Sequence, residues 1–190
     1  EIIRGRDSSE ESVAWSLDFV RLLKKTPILV NDGRGFYTSR VFTSFVNEGF
    51  NLLKEGVGPA LIENCGKQIG MPVGPLTVAD EVSLDLVYHV AKQTVEDTGS
   101  TSARATLEIG EMFVQKLGRP GRKAKKGLYE YPDGGGKKFL WPELKNLFPP
   151  RSKELSPETV RSRLLYAQLL EATRAMEEGV LLTPEDGDVG

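Results

Sequence analysis

The sequence predicts a mainly α-helical fold preceded by a short strand–helix–strand unit. From about residue 40 onward, apolar side chains recur at three- and four-residue spacing, the pattern of helices with one buried face. Before that point, a short apolar run at residues 27–30 follows a helical pattern and precedes a glycine-containing turn. Glycine and proline then end the helical patterns one after another, which indicates several separate helices.

The first 33 residues contain the strand–helix–strand unit. Residues 1–5 are predicted to form a short strand, and Ser8 or Ser9 is expected to cap the helix that follows. Residues 27–30 are typical of a buried parallel strand. Such a unit is half of an α/β crossover, and it needs neighbouring strands because both faces of its sheet must be covered.

The middle of the chain is predicted to be helical. A strongly periodic helix begins after Gly35 and ends near Gly56, where glycine suits the left-handed conformation that often ends a helix. Three further helices are predicted over residues 60–69, 82–95 and 102–117.

The C-terminal third begins with a basic loop at residues 119–126 and an extended aromatic segment. Four prolines between residues 142 and 157 leave no room for a long regular element, so this region is interpreted as a linker. Ser156 is expected to cap a final helix, with Pro157 at its first position.

Two of the predicted helices resemble each other at an offset of 123 residues. Both end in Glu-Gly-Val and are followed shortly by proline, which is why we interpret them as copies of one module whose second copy stops at Gly190. Glutamate and arginine are common on helix surfaces, so the identities suggest the duplication without proving it. The matched residues are Arg40, Glu48, Glu55, Gly56 and Val57 with Arg163, Glu171, Glu178, Gly179 and Val180.

Composition excludes several classes of protein. The 190 residues carry 25 basic and 27 acidic side chains, and this balance attracts neither nucleic acid nor an anionic membrane surface. Apolar runs fall far short of the roughly 20 residues that a membrane-spanning helix needs. Cys65 and His89 are single residues of their types, so we expect no internal disulfide, no metal site and a reducing, cytoplasmic location. The first residues lack signal-peptide character and are expected to continue a longer chain.

Two segments are candidates for binding. The turn at residues 31–40 could hold a polar substrate oxygen at a helix start, although its spacing alone favours a simple domain joint. The loop at residues 121–127 has four cations between glycines and could bind phosphate groups, although a solvated loop is the more common case. His89 and Cys65 are interpreted as structural, and Asp80 with Glu81 as capping or surface charges.

An ordered series of motifs covers essentially the whole chain. It consists of Lys-Thr-Pro-Ile-Leu-Val-Asn-Asp-Gly-Arg-Gly-Phe at 25–36, Arg40, Gly-Met-Pro-Val-Gly-Pro at 70–75, Asp80, Leu84-Asp85, Gly-Arg-Lys at 121–123 and Gly-Leu-Tyr-Glu-Tyr at 127–131. This series resembles the 3-hydroxyacyl-CoA dehydrogenase family. It looks most like the dehydrogenase part of multifunctional β-oxidation subunits of bacterial type, in which an enoyl-CoA hydratase domain comes first.

The resemblance implies a domain plan. Residues 1–33 would be the incomplete end of an NAD-binding Rossmann domain, and residues 34–131 a first helical dehydrogenase C-terminal domain. Residues 132–155 would be a linker, and 156–190 the truncated start of a second helical repeat. NAD would be bound mainly by the Rossmann domain outside this segment.

The resemblance also implies roles for four residues. Family members use a histidine as general base, which would lie before residue 1, oriented by a glutamate that falls on Glu1. Ser39 stands where an asparagine often bonds the substrate oxygen, and Tyr131 matches an aromatic position associated with substrate. Lys123 matches a lysine that approaches the cofactor. Lys125 replaces a usual glycine and Leu128 a usual aromatic residue.

The implied function is oxidation of a 3-hydroxyacyl-CoA by NAD, with this chain supplying one wall of the cleft. The segment alone is expected to be inactive because the base and the dinucleotide fold lie elsewhere. The alternative is a non-catalytic helical module for self-association or assembly with a thiolase subunit. A third hypothesis is a two-domain dehydrogenase of other short hydroxyacids.

Overall fold

The structure, a computed structural model, describes residues 1–99, 101–152 and 155–190. It confirms a mainly helical fold, and no helix in the described ranges is long and apolar enough to cross a membrane. The strands are Ile2–Arg4 (β1), Leu29–Asn31 (β2), Tyr129–Glu130 (β3) and Phe139–Leu140 (β4). The helices are Glu10–Leu22 (α1), Thr38–Lys54 (α2), Pro59–Gln68 (α3), Pro75–Val82 (α4), Leu84–Thr98 (α5), Arg104–Glu111 (α6), Leu144–Leu147 (α7), Pro157–Glu177 (α8) and Pro184–Val189 (α9).

The chain forms two compact units. The first consists of residues 1–44 and 166–190, and the second of residues 45–165. Helices α2 and α8 contribute to both, because each boundary between the units falls inside one of these helices.

The first unit contains the predicted strand–helix–strand. Strands β1 and β2 are parallel, with Ile3 opposite Val30, and α1 connects them. The hydroxyl of Ser9 accepts a hydrogen bond from the backbone N–H of Ser12 at 3.1 Å, so Ser9 is the N-cap of α1. Val30 is fully buried and pairs with Leu181, which draws the C-terminal segment onto the strand. The core of this unit consists of Ile28, Val30, Tyr37, Ala175, Val180 and Leu181.

The second unit is built from helices whose apolar faces are buried as the periodicity predicts. Phe45, Phe50 and Leu53 of α2 are completely buried. Helices α5 and α6 pack closely, and a Cβ at Gly110 would lie 2.8 Å from the Cβ of Tyr88, so this crossing requires glycine. Helix α6 continues into a π-helical turn at Met112–Lys116, which completes the helix predicted over residues 102–117.

Helix α4 is not predicted from the sequence, and the predicted start of the next helix is two residues too early. The helix predicted at residues 82–95 is α5, which begins at Leu84 after Ser83 adopts a φ of 100°. Helix α4 has eight residues, and this length is too short for apolar periodicity to identify a helix. In the proline-rich region only the one-turn helix α7 forms among the described residues; residues 153 and 154 of the predicted linker lie outside them.

The arginines and glutamates matched at the offset of 123 residues form two ion-pair clusters of the same kind, one in each unit. In the first unit, Nε of Arg40 donates to Glu171 at 2.8 Å and its Nη1 donates to Glu178 at 2.6 Å. These two glutamates follow Arg163, which is the sequence equivalent of Arg40. We call each cluster of one arginine and two glutamates an arginine clamp.

The second clamp consists of Arg163 and the two glutamates that follow Arg40, Glu48 and Glu55. Nε of Arg163 donates to Glu48 at 2.5 Å, and both of its terminal nitrogens donate to Glu55 at 2.8 Å. These bonds hold the pKa of Glu55 below its usual range, and they raise the pKa of Arg163. Each arginine therefore binds the two glutamates that follow the other arginine in sequence.

The two helices that carry the clamps also end alike. The N–H of Val57 donates to Leu52 O at 3.0 Å, and the N–H of Val180 donates to the equivalent Ala175 O at 2.9 Å. The glycines before these valines, Gly56 and Gly179, have φ values of 81° and 70°. This is the glycine-terminated helix end in which two otherwise unpaired carbonyls are satisfied. The two helix ends therefore share a hydrogen-bond pattern and a glycine conformation in addition to the five matched residues.

Removal of one arginine is expected to weaken its clamp measurably. Arg163→Ala should lower the free energy of unfolding by about 1–2 kcal/mol, because it leaves two partly buried carboxylates without their main partner. Denaturant unfolding at pH 7 measures this effect. Arg21→Ala, which breaks an exposed pair with Asp18, is the matched control and should change stability by less than about 0.5 kcal/mol.

The same variant should alter the pH dependence. The pKa of Glu55 is lower in the folded protein than its ordinary value of 4.5, so its pairing stabilises the fold above that value and is lost as the pH falls through the folded pKa. The free energy of unfolding of Arg163→Ala should therefore fall less steeply than that of the parent as the pH is lowered from 5 through the folded pKa of Glu55. An equally steep loss in the variant would contradict a stabilising role for this pair.

Candidate active site

The carboxylate of Glu1 lies at the N-terminus of α2, within the first unit. Its Oε1 accepts hydrogen bonds from the backbone N–H groups of Tyr37 at 3.1 Å and Thr38 at 3.3 Å. The hydroxyl of Thr38 donates to the other oxygen, Oε2. The first N–H groups of a helix have no intrahelical partner and carry partial positive charge, which explains why a carboxylate is bound there.

The turn between β2 and α2 brings this helix start to Glu1. Gly35 and Phe36 have φ values of 74° and 52°, so the chain reverses in two successive left-handed residues. Tyr37 then anchors the turn: its ring is buried in the core of the first unit, and its hydroxyl donates to Gly187 O at 2.9 Å. Burial, with the charges of Asp188 and Glu1, raises the pKa of the Tyr37 hydroxyl.

Ser39 follows Thr38, the residue whose N–H and hydroxyl both bind Glu1. Ser39 is exposed, and its hydroxyl forms no hydrogen bond with the described residues. A serine hydroxyl can donate one hydrogen bond and accept others. The structure therefore brings together, at the start of α2, the two first-unit residues named from the family resemblance.

Lys123 and Tyr131 lie in the second unit, on the segment that begins at the basic loop. Lys123 is exposed within a 3₁₀ turn at Arg122–Ala124, and it forms no ion pair with the described residues. The hydroxyl of Tyr131 donates to Oδ2 of Asp80 at 2.5 Å, and burial, together with this bond, raises the pKa of Tyr131 far above its ordinary value. The ring of Tyr131 is partly exposed, but its hydroxyl is committed to Asp80.

The interpretation of Asp80 as a surface or capping charge is wrong, because the side chain of Asp80 is completely buried. Its Oδ1 accepts the backbone N–H of Leu128 at 2.6 Å, so one carboxylate binds both Leu128 and Tyr131. Burial raises the pKa of Asp80 although these hydrogen bonds favour the ionised form. A Cβ at Gly127 would collide with Asp80, which explains the glycine at that position.

A second buried carboxylate, Glu63, is missed by the sequence analysis. Its Oε1 accepts the N–H groups of Leu76 at 2.8 Å and Thr77 at 3.1 Å, at the start of α4. Its Oε2 accepts the hydroxyls of Thr77 and Tyr129. Desolvation and the Glu63 charge raise the pKa of Tyr129. The nearest sequence signal is a helix that starts at Pro75 without a polar N-cap residue, since such a start needs acceptors from elsewhere.

The two residues interpreted as structural from the sequence, His89 and Cys65, differ in their burial. His89 is mostly exposed on α5 and lies 3.3 Å from Asp85, one turn earlier. Cys65 is buried, and burial raises the pKa of its thiol. A thiol whose pKa is raised is less readily ionised to the reactive thiolate.

The fold and the site define a class of protein: a helical domain that follows a parallel α/β unit along the chain, with a carboxylate held at the start of its first long helix. Residues 35–131, just over half of the chain, match the family of the 3-hydroxyacyl-CoA dehydrogenase C-terminal domain. The chain belongs to this family, which confirms the resemblance found in the motifs.

Individual proteins show the same relationship. The chain is 33% identical over 193 residues to the fatty acid oxidation complex subunit alpha of Shewanella loihica, and it covers 27% of that protein. It thus spans about a quarter of the length of the curated relatives it matches. The crystal structure of the dehydrogenase part of multifunctional enzyme 1 from C. elegans matches 95% of this chain and 41% of its own, with 26% identity and a TM-score of 0.71. (S)-3-hydroxybutyryl-CoA dehydrogenase from Ralstonia eutropha matches 69% of this chain and 46% of its own, with 30% identity and a TM-score of 0.62.

Proposed function

We propose that this chain is the helical part of an NAD-dependent 3-hydroxyacyl-CoA dehydrogenase of fatty-acid oxidation. The observation that carries the proposal is the carboxylate of Glu1 at the start of α2, where the next residue after Thr38 is the exposed Ser39. Family membership supplies the acyl-CoA substrate. A multifunctional full-length chain and a cytoplasmic location are further parts of the proposal.

In this proposal Glu1 orients the general base. A histidine that precedes residue 1 in the full-length protein would donate one ring N–H to Glu1 and use its other nitrogen to take the proton of the 3-hydroxyl group. The carboxylate fixes the tautomer of the imidazole and stabilises its protonated form. NAD, when bound, would accept a hydride from C3 of the substrate; loss of this hydride and of the hydroxyl proton to the histidine converts the 3-hydroxyl group to the 3-oxo group.

Ser39 would donate a hydrogen bond to the reacting oxygen of the substrate. Its hydroxyl is exposed and adjacent to the residue that binds Glu1, which fits a group that acts beside the base. A donor aimed at an oxygen that gains negative charge lowers the barrier because that interaction strengthens in the transition state.

Lys123 and Tyr131 would contribute contacts to cofactor and substrate. Arg122, Lys123 and Lys126 are exposed and have no carboxylate partner among the described residues, and this arrangement fits an anionic group such as the phosphates of NAD. Because the Tyr131 hydroxyl is bound to Asp80, substrate would meet the face or edge of its ring.

A non-catalytic assembly module is the second candidate, and one observation favours it. Helix α1 exposes Trp15, Phe19, Leu22 and, just after its end, Leu23, with exposed fractions of 72%, 60%, 80% and 56%. Large exposed apolar side chains grouped on one helix are typical of interaction surfaces. Such a surface would serve self-association or binding to a thiolase subunit.

The deciding experiment compares this chain with the full-length protein. Purified full-length protein should oxidise 3-hydroxyacyl-CoA with NAD, whereas residues 1–190 alone should show no turnover above background, because neither the histidine nor the dinucleotide fold is included. Absorbance of NADH measures both. Turnover by residues 1–190, or no turnover by the full-length protein, would contradict the proposal. Sedimentation of residues 1–190 over a concentration series tests the assembly alternative, which predicts self-association.

A further inference from the structure

Two carboxylates in this chain are bound by helix starts in the same way. Glu1 accepts the N–H of Tyr37, directly before α2, and the N–H and hydroxyl of Thr38, the first residue of α2. Glu63 accepts the N–H of Leu76 and the N–H and hydroxyl of Thr77, both within the first turn of α4. In both cases Oε1 takes the two backbone donors and Oε2 takes the hydroxyl. The threonines, Thr38 and Thr77, occupy the same place in the two arrangements.

The Glu63 arrangement shows what this geometry permits. Its Oε2 accepts the hydroxyl of Tyr129 at 2.8 Å while it also accepts the hydroxyl of Thr77. A carboxylate oxygen has two lone pairs, so the threonine bond leaves a second acceptor direction that is fixed in space. In Glu63, that direction is used by a group from a distant part of the chain.

We propose that Thr38 is a positioning residue of the dehydrogenase reaction, which fixes Oε2 of Glu1 so that its second lone pair meets the imidazole N–H of the base. This inference rests on the proposed function. The two backbone bonds hold only Oε1, so without the hydroxyl the carboxylate is free to turn about that point. Glu1 is exposed and lacks the surrounding core that constrains Glu63, which makes the hydroxyl the main restraint on Oε2.

The residue type at position 38 follows from this role. Valine has the same shape as threonine and suits the same place on a helix, but it donates no hydrogen bond. Serine keeps the donor and loses only a methyl group. The pair Thr38→Val and Thr38→Ser therefore separates the hydroxyl from the packing of the side chain.

The test uses the full-length enzyme. Thr38→Val should lower kcat about 10-fold, in the range found when a partner that orients an active-site group is removed, and leave the KM for acyl-CoA within about twofold. The acid limb of its kcat/KM profile should move to lower pH by about half a unit, because a misplaced carboxylate raises the pKa of the imidazolium less. Thr38→Ser should stay within about threefold of the parent in kcat with an unshifted limb.

Controls distinguish failure of this inference from failure of the proposed function. Thr43→Val changes a threonine of α2 whose hydroxyl has no partner among the described residues, and it should match the parent. If Thr38→Val keeps the parental kcat and pH limb while Glu1→Gln loses activity, Thr38 has no positioning role and the proposed function stands. If the parent itself is inactive, the proposed function fails. Should Thr38→Val not fold, Thr38→Ala replaces it, and parental kinetics in that variant would equally overturn the inference.

Discussion

Glu1→Gln in the full-length enzyme should reduce kcat by on the order of 100-fold. The amide oxygen can still accept the N–H groups of Tyr37 and Thr38, so the start of α2 stays capped. The amide nitrogen, however, replaces the acceptor that faces the imidazole, and it opposes one donor with another. The base is then held in the wrong tautomer, and its protonated form loses a stabilising charge.

The measurement is steady-state oxidation of a 3-hydroxyacyl-CoA, with KM determined separately from kcat. Glu11→Gln is the matched control, because it makes the same chemical change at an exposed position in the first turn of α1. That control should retain parental kcat. A Glu1→Gln enzyme with parental kcat would remove Glu1 from the catalytic machinery and leave family membership unaffected.

Asp80→Ala should destabilise the second unit by about 2–4 kcal/mol, because it leaves the buried N–H of Leu128 without an acceptor and releases the hydroxyl of Tyr131. The cavity left by the carboxylate adds to this loss. Thermal or denaturant unfolding of residues 1–190 measures it. The segment that carries Lys123 should also lose order, which a proteolysis time course at the basic loop detects.

Asp80→Asn is the control for this prediction. Its amide oxygen can accept from Leu128, and its amide nitrogen can donate to the oxygen of Tyr131, so the hydrogen-bond network keeps its connections. Burial raises the pKa of Asp80, which means that the site disfavours a full negative charge and tolerates a neutral group. Asp80→Asn should therefore stay within about 1 kcal/mol of the parent. Equal losses in both variants would show that charge, and not hydrogen bonding, holds the segment.

The elements that the sequence predicts well are those with a strong apolar pattern or with a recognisable residue at their start. The apolar run at residues 27–30 identifies β2, and the pattern from Val41 to Leu53 identifies α2, because burial of one face leaves a direct trace in composition. Ser9 and Ser156 are recognisable as caps, since the cap and the helix it serves are adjacent in sequence.

The residues that sequence does not resolve are those whose partners are distant along the chain. Glu63 lies in α3 and looks like an ordinary helix-surface acid, yet it caps α4 and binds Tyr129. Asp80 misleads for the same reason, because only folding shows that it lies beneath the segment at Leu128. The sequence points to Ser39 and not to Thr38, since nothing local reveals that the Thr38 hydroxyl meets Glu1.

The two arginine clamps have a consequence for the evolution of α2 and α8. Each arginine binds glutamates of the other helix, so a substitution at any of these positions weakens a contact that depends on both α2 and α8. A chimaera that exchanges one of these helices for that of a distant relative would keep both clamps only if the relative had the same arginine and two glutamates in register. Recombination within this gene is therefore expected to transfer the two helices together.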